Sequence, residues 1–163
     1  MDKVKDALYQ AYVGEAKAAL RLNLFAEKAE QEGYPQIAKL FRAISLSEAI
    51  HGARSLRILK EIKSTEENLA ASFESETKVA EVGYNDFIKV ATEQGDDPAV
   101  TVFSQARDVE ETHAKLYKEA MGHLMEERET TYYICKVCGF VSDGVVPEEC
   151  PICGAKKEQF TAC

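Results

Sequence analysis

The 163-residue chain lacks any uncharged apolar run long enough to span a bilayer. Its start, Met1-Asp2-Lys3-Val4-Lys5-Asp6, also lacks the apolar stretch of a secretory signal, so we expect no membrane segment and a cytoplasmic location. Positive charge is in deficit: 20 Lys and Arg stand against 28 Asp and Glu, a net charge of −8. That balance argues against a nucleic-acid surface, which needs clustered Lys and Arg to neutralise phosphates. Small molecules, metals and protein partners remain. Disulfides are not expected either, because a reducing compartment disfavours them. Four of the five cysteines instead form two Cys-x-x-Cys pairs, the spacing of a metal site.

Gly and Pro are only scattered up to about residue 127, where Ala, Leu, Glu and Lys dominate, so this stretch reads as helix broken by short turns. Gly33-Tyr34-Pro35 ends a first helix, and Ser64-Thr65-Glu66-Glu67 has the form of a capping box. Gly95-Asp96-Asp97-Pro98 combines a stop, an N-cap and a first-turn proline. Four helices are predicted, near 2–32, 35–63, 66–94 and 98–127. After Glu129 the composition turns to Tyr, Cys, Gly, Pro and Val, with strand-like pieces at Tyr132-Tyr133-Ile134 and Phe140-Val141. The predicted fold is mainly α: a four-helix bundle over 1–128, then a small β domain over 129–163 that is too short for its own core and needs a metal staple.

Each helix has an apolar stripe with a polar interruption near its middle. The first stripe runs Val4, Leu8, Ala11, Glu15, Ala18, Leu22, Phe25, Ala29, and the second Ile37, Phe41, Ile44, Glu48, His51, Ser55, Ile58, Ile62. The third runs Leu69, Phe73, Glu76, Ala80, Gly83, Phe87, Val90, and the fourth Ala99, Phe103, Ala106, Glu110, His113, Tyr117, Ala120, Leu124. Four carboxylates and two imidazoles inside a bundle cost several kcal/mol each unless paired or bound to a cation. In Glu48-Ala49-Ile50-His51 and Glu110-Glu111-Thr112-His113 the i, i+3 spacing puts both donors on one helix face. The order Glu, Glu-x-x-His, Glu, Glu-x-x-His matches the di-iron carboxylate pattern of ferritin-like bundles. Such donors suit iron or manganese; zinc could occupy the site without redox chemistry. His123 reads as a surface or packing histidine.

Cys135-Lys136-Val137-Cys138-Gly139 and Cys150-Pro151-Ile152-Cys153-Gly154 are two knuckles for one tetrahedral four-thiolate metal. Spacing alone leaves a zinc ribbon and a one-iron electron carrier both open. The neighbouring redox bundle favours iron. Cys163 reads as a free thiol.

Taken together, these residues resemble the rubrerythrins over essentially the whole chain. Gly14-Glu15-Ala16, Glu48-Ala49-Ile50-His51, Ser75-Glu76 and Glu110-Glu111-Thr112-His113 resemble the family's di-iron motifs, and Tyr133 to Phe160 is similar to its rubredoxin-type domain. The resemblance implies two irons held by Glu15, Glu48, His51, Glu76, Glu110 and His113, with a third held by Cys135, Cys138, Cys150 and Cys153. It further implies reduction of hydrogen peroxide to water in oxidative-stress defence, with electrons from rubredoxin or a nicotinamide-dependent reductase. Tyr84 matches a tyrosine near the family's site. Val79 stands where many members carry a further Glu, and Leu22 where a tyrosine is usual. The alternatives are a ferroxidase or iron-buffering protein, and a metal-binding protein with a structural zinc ribbon.

The predicted connection between helices two and three, Ser64 to Glu67, is only about four residues long. A ferritin-like bundle runs these helices parallel, which requires roughly twelve extended residues. Either the bundle is plain up-down-up-down, or two chains exchange helix pairs in a homodimer. We favour the exchange.

Overall fold

The computed structural model describes residues 3–124 and 128–163. Its contacts divide the chain into two units, 1–63 and 64–163.

The first unit is a hairpin of α1 (Lys3–Gln31) and α2 (Pro35–Leu59). Gly33 takes the left-handed conformation that closes α1 (φ 82°), and Pro35 opens α2 where its missing N–H costs nothing. Small residues form the seam: Ala26 and Ala38 are fully buried, with Ala29 beside them and Phe41 packed against the cluster. The Phe41 ring meets Phe25 edge-on at 5.7 Å, a geometry aromatic pairs prefer. Ser45, buried in the same seam, donates to the Ala19 carbonyl at 2.8 Å. At the surface Arg42 Nη1 donates to Glu30 Oε1 at 2.7 Å.

The second helix stops at Leu59, not at the predicted residue 63. Lys60 adopts the left-handed conformation (φ 59°), and the N–H groups of Lys60 and Glu61 turn back to the carbonyls of Arg57 and Leu56. This is a left-handed C-terminal stop made without glycine.

The second unit holds α3 (Thr65–Lys78), α4 (Tyr84–Gln94), α5 (Asp97–Gly122) and a small sheet. The capping box forms as predicted. Ser64 Oγ accepts from the Glu67 N–H at 3.2 Å, and Glu67 Oε2 accepts from the Ser64 N–H at 3.2 Å. The continuous third helix predicted over 66–94 is broken, however, by a π-helical turn at Val79–Gly83, where the Tyr84 N–H reaches the Val79 carbonyl five residues back. β-Branched Val79 and Val82 beside Gly83 make this the weakest stretch for ordinary helical bonding. The extra residue in the turn shifts the helical phase of α4 relative to α3. Tyr84, and not Gly83, joins the face of Glu76.

Gly95 (φ 67°) ends α4, and Asp96 caps α5 by accepting from the Ala99 N–H at 3.0 Å. The fourth predicted helix ends at Gly122; His123 caps it, Leu124 comes next in a turn, and the predicted end at 127 lies outside the described residues. The sheet has β1 (Tyr132–Cys135) in the middle, antiparallel to both β2 (Val141–Asp143) and β3 (Phe160–Ala162). Ile134 lies opposite Val141 and Thr161, and Cys135 opposite Phe160. β3 had no counterpart among the predicted elements. From 128 onward only Cys135 and Cys150 are buried, so the sulfur cluster takes the place of a hydrophobic core.

The predicted inward stripes are only partly covered. Phe25 is 46% exposed and Ile44 39% in the first unit, and Phe87 is 51% exposed and Val90 59% in the second. Two helices meeting along one seam cannot enclose a stripe on both sides.

Candidate metal centres

The structure brings the six predicted bundle residues together as two triads, one in each unit. In the first, Glu15 comes from α1 and Glu48 and His51 from α2, their donor atoms all within 4.8 Å of one another. His51 Nδ1 lies 3.4 Å from Glu48 Oε2 and 3.8 Å from Glu15 Oε1. Buried Gly52 belongs to this level of the hairpin: a Cβ there would meet Glu15 Cβ at 3.6 Å, an ordinary contact. The Glu15 and Glu48 carboxyls are hydrogen-bonding neighbours. Hydrogen bonding to Glu48 raises the Glu15 pKa, with desolvation and the Glu48 charge adding to it, and the same hydrogen bond lowers that of Glu48.

In the second triad Glu76 comes from α3 and Glu110 and His113 from α5, again within 4.8 Å. His113 Nδ1 is 2.9 Å from Glu110 Oε2. Burial, together with the hydrogen bond and charge of Glu110, pushes Glu76 up to about 7. Tyr84 stands beside them: burial and then the charges of Glu110 and Glu76 raise its hydroxyl, so it stays an O–H donor. Its ring packs against Phe87 and Phe103 at centroid distances of 5.9 and 6.4 Å.

The donor chemistry of both triads fits a divalent cation. Each triad crowds two carboxyls so that one of them, Glu15 or Glu76, has its pKa raised by the other, and a cation in place of its proton relieves that crowding; mixed oxygen and nitrogen donors suit iron. Val79 is apolar and cannot ligate. Glu81 lines a separate groove with Thr77, Glu111 and Lys115, outside the triad.

Cys135, Cys138, Cys150 and Cys153 converge in the second unit. Their sulfurs stand 3.7 Å apart for Cys135 and Cys153 and 3.6 Å apart for Cys138 and Cys150. A tetrahedron with metal–sulfur bonds of about 2.3 Å has edges of about 3.8 Å, so the cage is of the size a metal ion requires. Each knuckle is closed by its glycine, Gly139 N–H to the Cys135 carbonyl and Gly154 N–H to the Cys150 carbonyl, both at 2.9 Å. Desolvation pushes Cys135 up, but N–H groups of Cys138 and Val137 and the neighbouring thiols bring it below the usual thiol value. Burial raises Cys138 and Cys153 despite N–H bonds from Phe140 and Ala155. Cys163 is exposed and apart from this cage.

One feature escaped the sequence. His113 Nε2 lies 3.4 Å from the Gly139 carbonyl, so the imidazole of the second triad meets the first cysteine knuckle. The two residues are 26 positions apart and carry no shared signal. A cavity of about 380 Å³, lined by Leu69, His113, Leu116 and Tyr132 among others, opens beside this contact.

The class is therefore that of a helical carboxylate–histidine metal protein joined to a four-thiolate domain. The comparisons name the family. The family profile described as Rubrerythrin matches residues 6–121, and that described as Rubrerythrin, rubredoxin-like domain matches residues 133–161. Rubrerythrin-2 of Clostridium acetobutylicum is 34% identical, over 96% of this chain and 95% of its own length. Nigerythrin of Nitratidesulfovibrio vulgaris is 31% identical, over 95% and 84%. A solved structure of nigerythrin in a mixed-valence state superposes with a TM-score of 0.61 at 31% identity, covering 98% of this chain and 86% of that one. The chain belongs to the rubrerythrin family: a ferritin-like di-iron protein with a rubredoxin-like four-cysteine domain. No described helix is long and apolar enough to cross a membrane.

Proposed function

We propose that the protein is a peroxidase that reduces hydrogen peroxide to water, with Glu15, Glu48, His51, Glu76, Glu110 and His113 holding two irons and Cys135, Cys138, Cys150 and Cys153 holding one. It works in the cytoplasm as a homodimer and takes its electrons from rubredoxin or a nicotinamide-dependent reductase. When bound, the iron pair supplies the two electrons that cleave the O–O bond, and the four-thiolate iron replaces them one at a time.

The protein's own groups do the rest. Four glutamates bring the four negative charges that balance two divalent cations, and the two imidazoles add neutral donors. Peroxide needs two protons to become two waters, and the Tyr84 hydroxyl, kept protonated by burial and by Glu110 and Glu76, holds one next to the site. Phe87 and Phe103 pack against the Tyr84 ring.

The observation that carries this reading is the 3.4 Å approach of His113 Nε2 to the Gly139 carbonyl. An iron-storing ferroxidase gives its electrons to dioxygen and needs no inlet, and a zinc ribbon conducts none. A ligand imidazole against a thiolate knuckle is an inlet. The test is anaerobic stopped-flow mixing of the fully reduced protein with peroxide or with dioxygen, monitoring the visible ferric-thiolate band. The band should return faster with peroxide; equal or faster recovery with dioxygen would replace the peroxidase by an oxidase or ferroxidase.

A further inference from the structure

The four-thiolate region meets the helices of its own unit only loosely. β2 lies beside α5, yet cavities of about 380 and 670 Å³ open between helices and sheet, sharing Leu69, Leu116, Ala120 and Tyr132 in their walls. Apolar packing is thin there, because a wall facing open space forfeits its partner atoms. The relative placement of sheet and helix therefore falls to polar ties.

One tie is His113 Nε2 to the Gly139 carbonyl at 3.4 Å, the long end of hydrogen bonding, so a small shift breaks it. A carbonyl only accepts, so Nε2 carries the proton, leaving Nδ1, 2.9 Å from Glu110 Oε2, as the nitrogen toward the triad. The other tie lies at the second cavity. Arg128 Nη2 donates to Asp143 Oδ2 on β2, and Thr130 Oγ1 donates to the other oxygen of the same carboxylate. Arg128 also senses the charge of Glu119 on α5, and Glu119, Arg128 and Asp143 line that cavity together. A fixed cation thus stands between a carboxylate on the helix and one on the sheet. The Asp143 side chain is only 17% exposed, so this pair is screened less than an open surface pair.

We propose that Arg128 and Asp143 are positioning residues for electron transfer: they clasp the sheet to α5 and so keep the Gly139 knuckle against His113. This rests on the electron path proposed above. Neither residue belongs to the proposed ligand sets.

The test compares Arg128→Gln, Asp143→Asn and Arg128→Lys with the unaltered protein, each iron-loaded and fully reduced, after anaerobic mixing with hydrogen peroxide. Peroxide should disappear in the first turnover at the unaltered rate in all of them. Return of the ferric-thiolate band should slow about tenfold in Arg128→Gln and Asp143→Asn, as a misplacement of about an ångström allows, and change less than about twofold in Arg128→Lys, which keeps the charge. Unchanged band return in Arg128→Gln, or a peroxide step slowed equally, overturns the clasp. Nuclear magnetic resonance of zinc-loaded protein, which is diamagnetic, reads the contact without any electron transfer. The His113 Nε2 proton should be protected from exchange in the unaltered protein and Arg128→Lys, and lost to solvent in Arg128→Gln. A proton protected in Arg128→Gln, or in none of the proteins, overturns the clasp whatever the band does. If the proton follows the expected pattern but the band never returns in the unaltered protein, the clasp stands and the electron path is refuted.

Discussion

The four-thiolate site and the carboxylate site differ in where their ligands come from. All four cysteines fall within 19 consecutive residues, on two knuckles that each close with a glycine N–H. The six proposed ligands of the iron pair stretch over 99 residues, Glu15 to His113, and sit on helices whose packing sets their spacing. The first site is made by local turns and substitutes for a core; the second is made by helix packing and depends on one. A local site should fail alone. An assembled site should fail without harming its neighbour.

The largest effect is expected from Cys150→Ser. With one thiolate gone and no hydrophobic core to fall back on, the region from 128 onward should lose its iron and its strand structure. Turnover with an external donor should vanish, measured by steady-state peroxide loss. Glu110→Ala should be narrower: iron analysis would show the pair gone while the thiolate absorption stays unchanged. Loss of both signals together would erase the distinction between the sites.

Val79 sharpens the comparison next. With no carboxylate one turn after Glu76, and with Glu81 facing a different groove, α3 and the π turn place no further carboxylate among the described residues to join or replace a proposed ligand. Structures of the oxidised and reduced iron-loaded forms should therefore show the same six ligands. An iron displaced by about an ångström, or Glu81 bound in one state, would contradict this.

A smaller effect concerns pH. Glu76 rises from 4.5 to about 7 through burial and Glu110, so its protonated form is the one the fold favours. Its contribution to stability is fully present below pH 4.5 and is lost as the pH rises through about 7. Iron-free protein should therefore melt at lower temperature above neutrality than below it. The iron-loaded form should show less of this slope, because the cation takes over from the proton. Scanning calorimetry of both forms across that range checks the sign.

The smallest change is Gly52→Ala, where a Cβ meets Glu15 Cβ at 3.6 Å and Tyr12 at 3.7 Å, ordinary contacts. Helix propensity should then raise stability by about 0.5–1 kcal/mol with iron content unchanged. Denaturant unfolding measures it.

The same contrast explains how far the sequence could be read. Ser64 and Glu67, Asp96 and Pro98, and the two cysteine knuckles carry their instructions within a few residues, so the caps and the sulfur cage were legible. The two Glu-x-x-His pairs were legible because buried charge in an apolar stripe demands a reason. The stop at Lys60 was not, since a lysine in the left-handed region replaces the glycine that would announce it. The π turn at Val79–Gly83 was hidden because the apolar pattern continues smoothly through it. β3 and the approach of His113 to Gly139 depend on partners 25 or more residues away, and local pattern does not encode them.

In the proposed reaction the iron pair spends its own electrons on peroxide and the thiolate iron restores them. The direct measurement is a side-by-side titration of fully reduced, iron-loaded unaltered protein and Cys150→Ser with hydrogen peroxide, counting peroxide lost per iron pair. Two electrons reduce one peroxide, so the variant should consume one and stop, and the unaltered chain half as much again while its ferric-thiolate band returns. Equal consumption by the two, with the band still bleached in the unaltered protein, would contradict the proposed electron path.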